Sequence, residues 1–104
     1  MDGRVVGMIG INRYKDKARD HSAEIGFGVA AAFTRHGIGC KLLKAAVGKA
    51  RQLGLQRLEA DCFDDNVASA ALLRMCGFRD EGVRLGAICK NGILRDQRLF
   101  GLML

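Results

Sequence analysis

Where an apolar stretch gives way to a helical pattern, the chain carries Arg35-His36-Gly37-Ile38-Gly39-Cys40. Residues of these types at this spacing can hold a phosphate. Glycines let backbone N–H groups approach an anion, and a helix N-terminus adds the positive end of its dipole. Arg35 and His36 add a charge and a donor. The same six residues also serve as an ordinary tight turn. They form no Walker A loop, since Gly-x4-Gly-Lys-[Ser/Thr] is absent. They form no dinucleotide fingerprint either, because Leu42 stands at the third glycine. Glu24 is a second candidate, the single carboxylate on the Ser22, Glu24, Gly26, Gly28 side of an alternating segment. It reads either as a general base or as a solvated strand residue. His21 falls on the opposite side and reads as a strand-end residue. Asn66 is placed to cap a helix or to bond a ligand. Asp61 and Asp64 read as surface charge. Cys40, Cys62, Cys76 and Cys89 contain no Cys-x-x-Cys pair, so the spacing expected of a structural zinc site is missing. They read as reduced, mostly buried thiols of a cytoplasmic protein, Cys62 as core and not as a nucleophile.

These residues need elements to position them. Residues 4–13 are predicted to form one strand, and residues 14–20 a polar connection. Residues 21–30 are predicted as a second strand antiparallel to the first, with Ala23, Ile25, Phe27 and Val29 on its apolar side. Ile38, Leu42, Leu43, Ala46, Val47, Ala50 and Leu53 recur at helical spacing, and Gly54 stands as the stop. Residues 56–62 are expected as a third strand, parallel to the second across the helix. Asn66 opens a helix over 67–76 that Gly77 ends. Residues 78–89 and 93–104 are two further strands joined at Lys90-Asn91-Gly92, a type I′ hairpin signal. The order is β-β-α-β-α-β-β, an α+β domain with a mixed sheet.

Composition narrows the class. The 104 residues allow one domain, 1–104. With 49% apolar and 27% charged residues, the chain is a globular and not a disordered type. No apolar run is long enough for a membrane helix. Seventeen Lys and Arg against eleven Asp and Glu give +6, which favours anionic partners. The basic residues are scattered and aromatics are only 6%, a poor match to a nucleic-acid footprint. Proline is absent, and Asp2-Gly3, a turn dipeptide, has almost nothing before it to pair.

The segment Val29-Ala-Ala-Ala-Phe33-Thr34-Arg35-His36-Gly37-Ile38-Gly39-Cys40-Lys41-Leu42-Leu43 resembles motif A of the GNAT superfamily of acyl-CoA N-acyltransferases. Its pattern runs Val-x-Pro-x-Tyr-[Arg/Gln]-Gly-x-Gly-[Ile/Leu]-Gly-x-x-Leu-Leu. Downstream, Asn66 through Phe78 resembles motif B, Asn-x-x-Ala-x-x-Leu-Tyr-x-[Lys/Arg]-x-Gly-Phe, and the last two strands are also similar to the family's. The resemblance implies that the second and third strands splay at their carboxyl ends and take the pantetheine arm of acetyl-CoA between them. It implies that Phe27, Gly28 and Val29 pair with that arm, with the N–H near Val29 polarising the thioester carbonyl. Amides of Arg35, His36, Gly37, Ile38, Gly39 and Cys40 would hold the pyrophosphate, and Asn66 the pantetheine. Glu24 would take the proton of a primary amine that attacks the thioester directly.

The sequence departs from the pattern at several positions. Thr34 stands at Arg/Gln, Arg35 at Gly, Ala31 at Pro, and Leu73 at the tyrosine that serves many members as general acid. By the family plan a first strand, two helices and a second strand precede Asp2-Gly3. The chain thus reads as the cofactor half of the domain, with Val5–Ile11 a bare sheet edge. That edge calls for a second copy, paired or strand-exchanged, or for a separate chain. The resemblance implies an N-acetyltransferase acting on a small-molecule or peptide amine. A CoA-binding module of little or no activity and a basic nucleic-acid-binding domain stand as alternatives.

Overall fold

A computed structural model of the chain describes residues 4–6, 9–26 and 38–104. The elements are β1 Arg4–Val6, β2 Ile9–Arg13, β3 Ser22–Gly26, α1 Ile38–Gln52, β4 Arg57–Phe63, α2 Val67–Met75, β5 Arg79–Lys90 and β6 Ile93–Met103. They build a six-stranded sheet in the order β1-β2-β3-β4-β6-β5. The mixed α+β architecture is the one expected, with two corrections at its first strand. Residues 4–13 are not one strand: β1 folds back on β2, with Arg4 opposite Ile11 and Val6 opposite Ile9. A β-rich run has no periodicity that marks where it doubles back, and only backbone pairing decides it. The expected bare edge at Val5–Ile11 is corrected too. The three-residue β1 lines β2 and is itself the short edge, a common way of blunting one.

β2 and β3 are antiparallel, and β3 and β4 run parallel with α1 between them. Helix α1 forms because Leu43, Ala46, Val47 and Ala50 fall on one stripe, which is buried. Leu72 and Leu73 of α2 enter the same core, together with Ile11, Ile25, Leu58, Phe78 and Phe100. Ala23 lies opposite Leu58, and Ala60 opposite Phe100, so one face of the central strands packs on the helices. Alternation then turns Glu24, Arg57, Glu59 and Asp61 to the other face. Ser22 departs from that alternation. It is buried, its hydroxyl donating to the Arg19 carbonyl at 2.9 Å, rather than open beside Glu24.

At the far hairpin Asn91 and Gly92 have φ of 53° and 77°, the two left-handed residues a type I′ turn requires. β5 is the long edge, with register shifts at Asp80/Gly82 and Arg84/Ile88. On it Cys89 is exposed, not buried as expected, because this strand has a partner on one side only. Among the described residues no helix is long and apolar enough to cross a membrane.

Asn66 caps α2: its Oδ1 accepts from the Ser69 N–H at 3.1 Å. Asn66→Ala is expected to cost about 0.5–2 kcal/mol in urea unfolding, with Asn66→Asp close to the parent. A loss of similar size in both variants would contradict the capping role.

Candidate functional site

The β3/β4 ladder is short. It runs from Ser22 opposite Arg57 to Glu24 opposite Glu59 and stops there. β3 continues against β2 to Gly26, while β4 continues against β6 to Phe63. Among the described residues the two parallel strands share no further ladder beyond that pair, which makes a fork in the pairing. The last pair before the fork is Glu24 and Glu59, neighbours on the open face.

Tyr14 stands over that pair. It follows β2 directly, and its hydroxyl donates to Glu59 Oε1 at 2.7 Å, with Glu24 Oε2 at 3.5 Å. Its ring lies under the Arg19 guanidinium, 4.5 Å from centroid to Cζ. Arg19 is in turn held by Asp16 through Nη2 at 2.7 Å and Nε at 2.9 Å. Burial, followed by the bond to Glu59 and the charges of Glu59 and Glu24, pushes the Tyr14 phenol well above its usual range. On the other side of Glu59, Arg57 Nε donates to Oε2 at 3.1 Å. Arg57 also grips Glu81 of β5 with both terminal nitrogens, Nη1 at 2.8 Å from Oε2. Gly101 of β6 makes room for that pair. A Cβ there would lie 2.5 Å from Arg57 Nη1 and closer still to Glu81 Oε2. Together Tyr14, Glu24, Arg57, Glu59, Asp61 and Glu81 line a cleft of about 200 Å³.

Arg57 holds the Glu81 carboxyl below the usual glutamate range, first by the hydrogen bond and then by charge, with burial opposing. A carboxyl depressed on folding adds stability above its unfolded pKa and loses it as pH falls through the folded value. The thermal midpoint is therefore expected to fall as pH drops below about 4.3, the ordinary glutamate value, and on through the depressed one. In Glu81→Gln that part of the curve should flatten. Identical acid slopes for the two proteins would rule the contribution out.

The sequence-predicted residues divide into three groups. Glu24 is at the fork. Asn66 lies at the far end of β4, beside a cavity of about 370 Å³ whose wall includes Asp61, Cys62, Phe63, Ser69, Ile88 and Lys90. Ile38, Gly39 and Cys40 lie in the first turn described for α1. Phe27, Gly28, Val29, Arg35, His36 and Gly37 lie outside the described residues, as do Ala31 and Thr34. Asp61 accepts from Gln97, and Asp64 pairs with Arg95 at 3.7 Å. His21 contributes its carbonyl, which accepts from the Gln56 N–H at 2.7 Å. Cys62 is half-buried, and burial, with the Asp61 charge, pushes its thiol up, away from a reactive thiolate. Leu73 is wholly inside the core. Tyr14, Arg57, Glu59 and Glu81 were missed by the sequence reading. In a strand or loop each looks like a surface residue, and the register that gathers them is not a local property.

Comparison with known proteins agrees with this geometry. The model of the Acetyltransferase (GNAT) family matches residues 1–78. A Bacillus subtilis protein named as the uncharacterized N-acetyltransferase YoaA is 32% identical over 100 residues, covering 95% of this chain and 55% of its own. A GNAT acetyltransferase from Streptococcus pneumoniae superposes with a TM-score of 0.80 at 24% identity, covering 92% of this chain and 58% of that one. The ribosomal-protein-alanine N-acetyltransferase of Brucella melitensis gives 0.79 at 24% identity, with 92% and 60% covered. A Bacillus subtilis acetyltransferase in complex with CoA gives 0.72 at 23% identity, with 92% and 67% covered. These structures share the fold. The chain spans about half the length of the curated relative.

Proposed function

Because this chain belongs to the GNAT acetyltransferase family, we propose that it serves the transfer of an acetyl group from acetyl-CoA to a primary amine, with Glu24 as general base. The observation that carries this reading is the fork. Among the described residues the β3/β4 ladder ends at a carboxylate pair, Glu24 and Glu59. Acetyl-CoA as co-substrate supplies an activated acyl carbon. The amine nitrogen attacks that carbon directly, the C–N bond forms and the C–S bond breaks. Glu24 receives the proton the amine sheds, and the open face gives it access to water. In this reading Phe27, Gly28 and Val29 pair with the pantetheine arm, residues 35–40 hold the pyrophosphate, and Asn66 bonds the arm while capping α2. The residues described at the site fit such a ligand. The cavity beside Asn66 carries Lys90 on its wall, a cation for an anionic group, along with the Asp61 carboxylate.

The thiolate leaves without a tyrosine at position 73. A thiol of pKa about 8.5 is a tolerable leaving group near neutral pH. The buried Leu73 also favours a second reading, a CoA-binding module of low turnover. Calorimetric titration with CoA and acetyl-CoA tests both, since an absence of heat at millimolar ligand would overturn them together. Thiol release across a panel of amines separates them. The reading includes a cytoplasmic setting, consistent with Cys62 and Cys89 in no disulfide. It also includes a second copy paired at an open sheet edge. β5 favours this, a twelve-residue edge strand on which Leu85 is 83% exposed. A monomer mass in light scattering at high concentration would count against the pairing.

A further inference from the structure

The fork presents two carboxylates of the same kind, and their surroundings divide the work between them. Neighbouring strands stand about 4.8 Å apart, so Glu24 and Glu59 in register on one face repel when both are ionised. Glu59 is held on both oxygens, Oε1 by the Tyr14 hydroxyl at 2.7 Å and Oε2 by Arg57 at 3.1 Å. With one bond on each oxygen, Glu59 is fixed in place and is not free to reach an incoming amine. Glu24 has a long 3.5 Å approach to the same hydroxyl, beyond the usual range of an O–H···O bond. The phenol has one proton to give, and the geometry gives it to Glu59.

We propose that Tyr14 is the positioning residue of this site: its hydroxyl fixes Glu59 as a held acceptor and leaves Glu24 as the carboxylate that takes the proton of the amine. The proposal rests on the reading of Glu24 as general base. The loop before β3 is built to present Tyr14. Asp16 fixes Arg19, Arg19 covers the ring, and the Tyr14 N–H donates to the Ser22 carbonyl at 3.1 Å. The charged groups facing the phenol are thus Arg19 from the loop, Glu24 from β3 and Glu59 from β4. Without the hydroxyl, Glu24 and Glu59 face each other with no proton between them. Glu59 then keeps only its Arg57 bond, and its freed oxygen is as open to the amine proton as Glu24 is.

The chain contains one tyrosine and no tryptophan, so its near-ultraviolet absorbance reports this phenol directly. In the parent protein, tyrosinate absorbance is expected to rise at a pH above the ordinary value of about 10. In Glu59→Gln, checked for folding by circular dichroism, it should rise at lower pH. A phenol titrating in the ordinary range in the parent, or unmoved in Glu59→Gln, overturns the proposal without any assay of turnover. In the kinetic arm, Tyr14→Phe is expected to lower kcat/KM by roughly tenfold and to change the shape of its pH profile from the parent's. If Glu24→Gln abolishes turnover while Tyr14→Phe keeps the parent profile, positioning by Tyr14 is overturned and the base reading stands. If Glu24→Gln turns over like the parent, the base reading falls and the proposal falls with it.

Discussion

Glu24→Gln is expected to lower kcat for amine acetylation by roughly 10²–10⁴-fold, the usual worth of one general base. The amide matches the carboxylate in shape but takes up no proton at neutral pH. Binding of acetyl-CoA, measured by calorimetry, is expected to be unchanged. The proposed cofactor contacts are made by residues 27–29, 35–40 and Asn66, none of which is Glu24. Glu59 is next to the lost base but does not replace it, because Tyr14 and Arg57 engage both of its oxygens. Steady-state thiol release, read alongside far-ultraviolet circular dichroism, checks this. Turnover equal to the parent's in a folded Glu24→Gln protein would remove Glu24 from the mechanism.

Phe100→Ala is expected to cost about 3–5 kcal/mol, transfer loss and cavity together. Among the described residues Phe100 is the largest of the fully buried side chains. It sits on β6, paired with Ala60 of β4 on one side and Asp80 of β5 on the other, and Arg74 of α2 lies over its ring. Its removal therefore loosens the sheet and the second helix at once. A domain of this size holds about 5–15 kcal/mol in all. The thermal midpoint should accordingly fall by more than about 10 °C. Met75→Ser is the matched control. That methionine is 71% exposed at the end of α2, and its replacement is expected to stay within about 0.5 kcal/mol of the parent. A loss under about 1 kcal/mol for Phe100→Ala would show that β6 is not the centre of the core.

Much of the fold was legible because it is local. The stripe Leu43, Ala46, Val47 and Ala50 names a helix and its buried face before any neighbour is known. Asn66 and Gly77 bracket α2 by capping chemistry, and Asn91-Gly92 demands a hairpin by backbone sterics. Residues 4–13 misled for the same reason. Their types fit a strand, and nothing in their order tells a single strand from a doubled one.

The site was legible by halves. Glu24 stood out as a carboxylate on a strand of small residues, and the two motifs led to the family that the comparisons bear out. Its companions did not stand out. Tyr14 and Glu59 are 45 positions apart, and Arg57 and Glu81 are 24 apart. On β4 the alternation that buries Leu58 and Ala60 marks Glu59 only as outward-facing.

By itself the sequence determined which face of each element is apolar, where the helices stop, where the last hairpin turns and which family the chain resembles. These follow from residue type and from spacings within one element, where the period of the backbone is fixed. The tertiary structure decided that β1 doubles back on β2, that the β3/β4 ladder ends at Glu24 and Glu59, and that Tyr14 reaches across to hold one of them. Those facts depend on register between strands distant in the chain, and register is set by how the buried faces pack together.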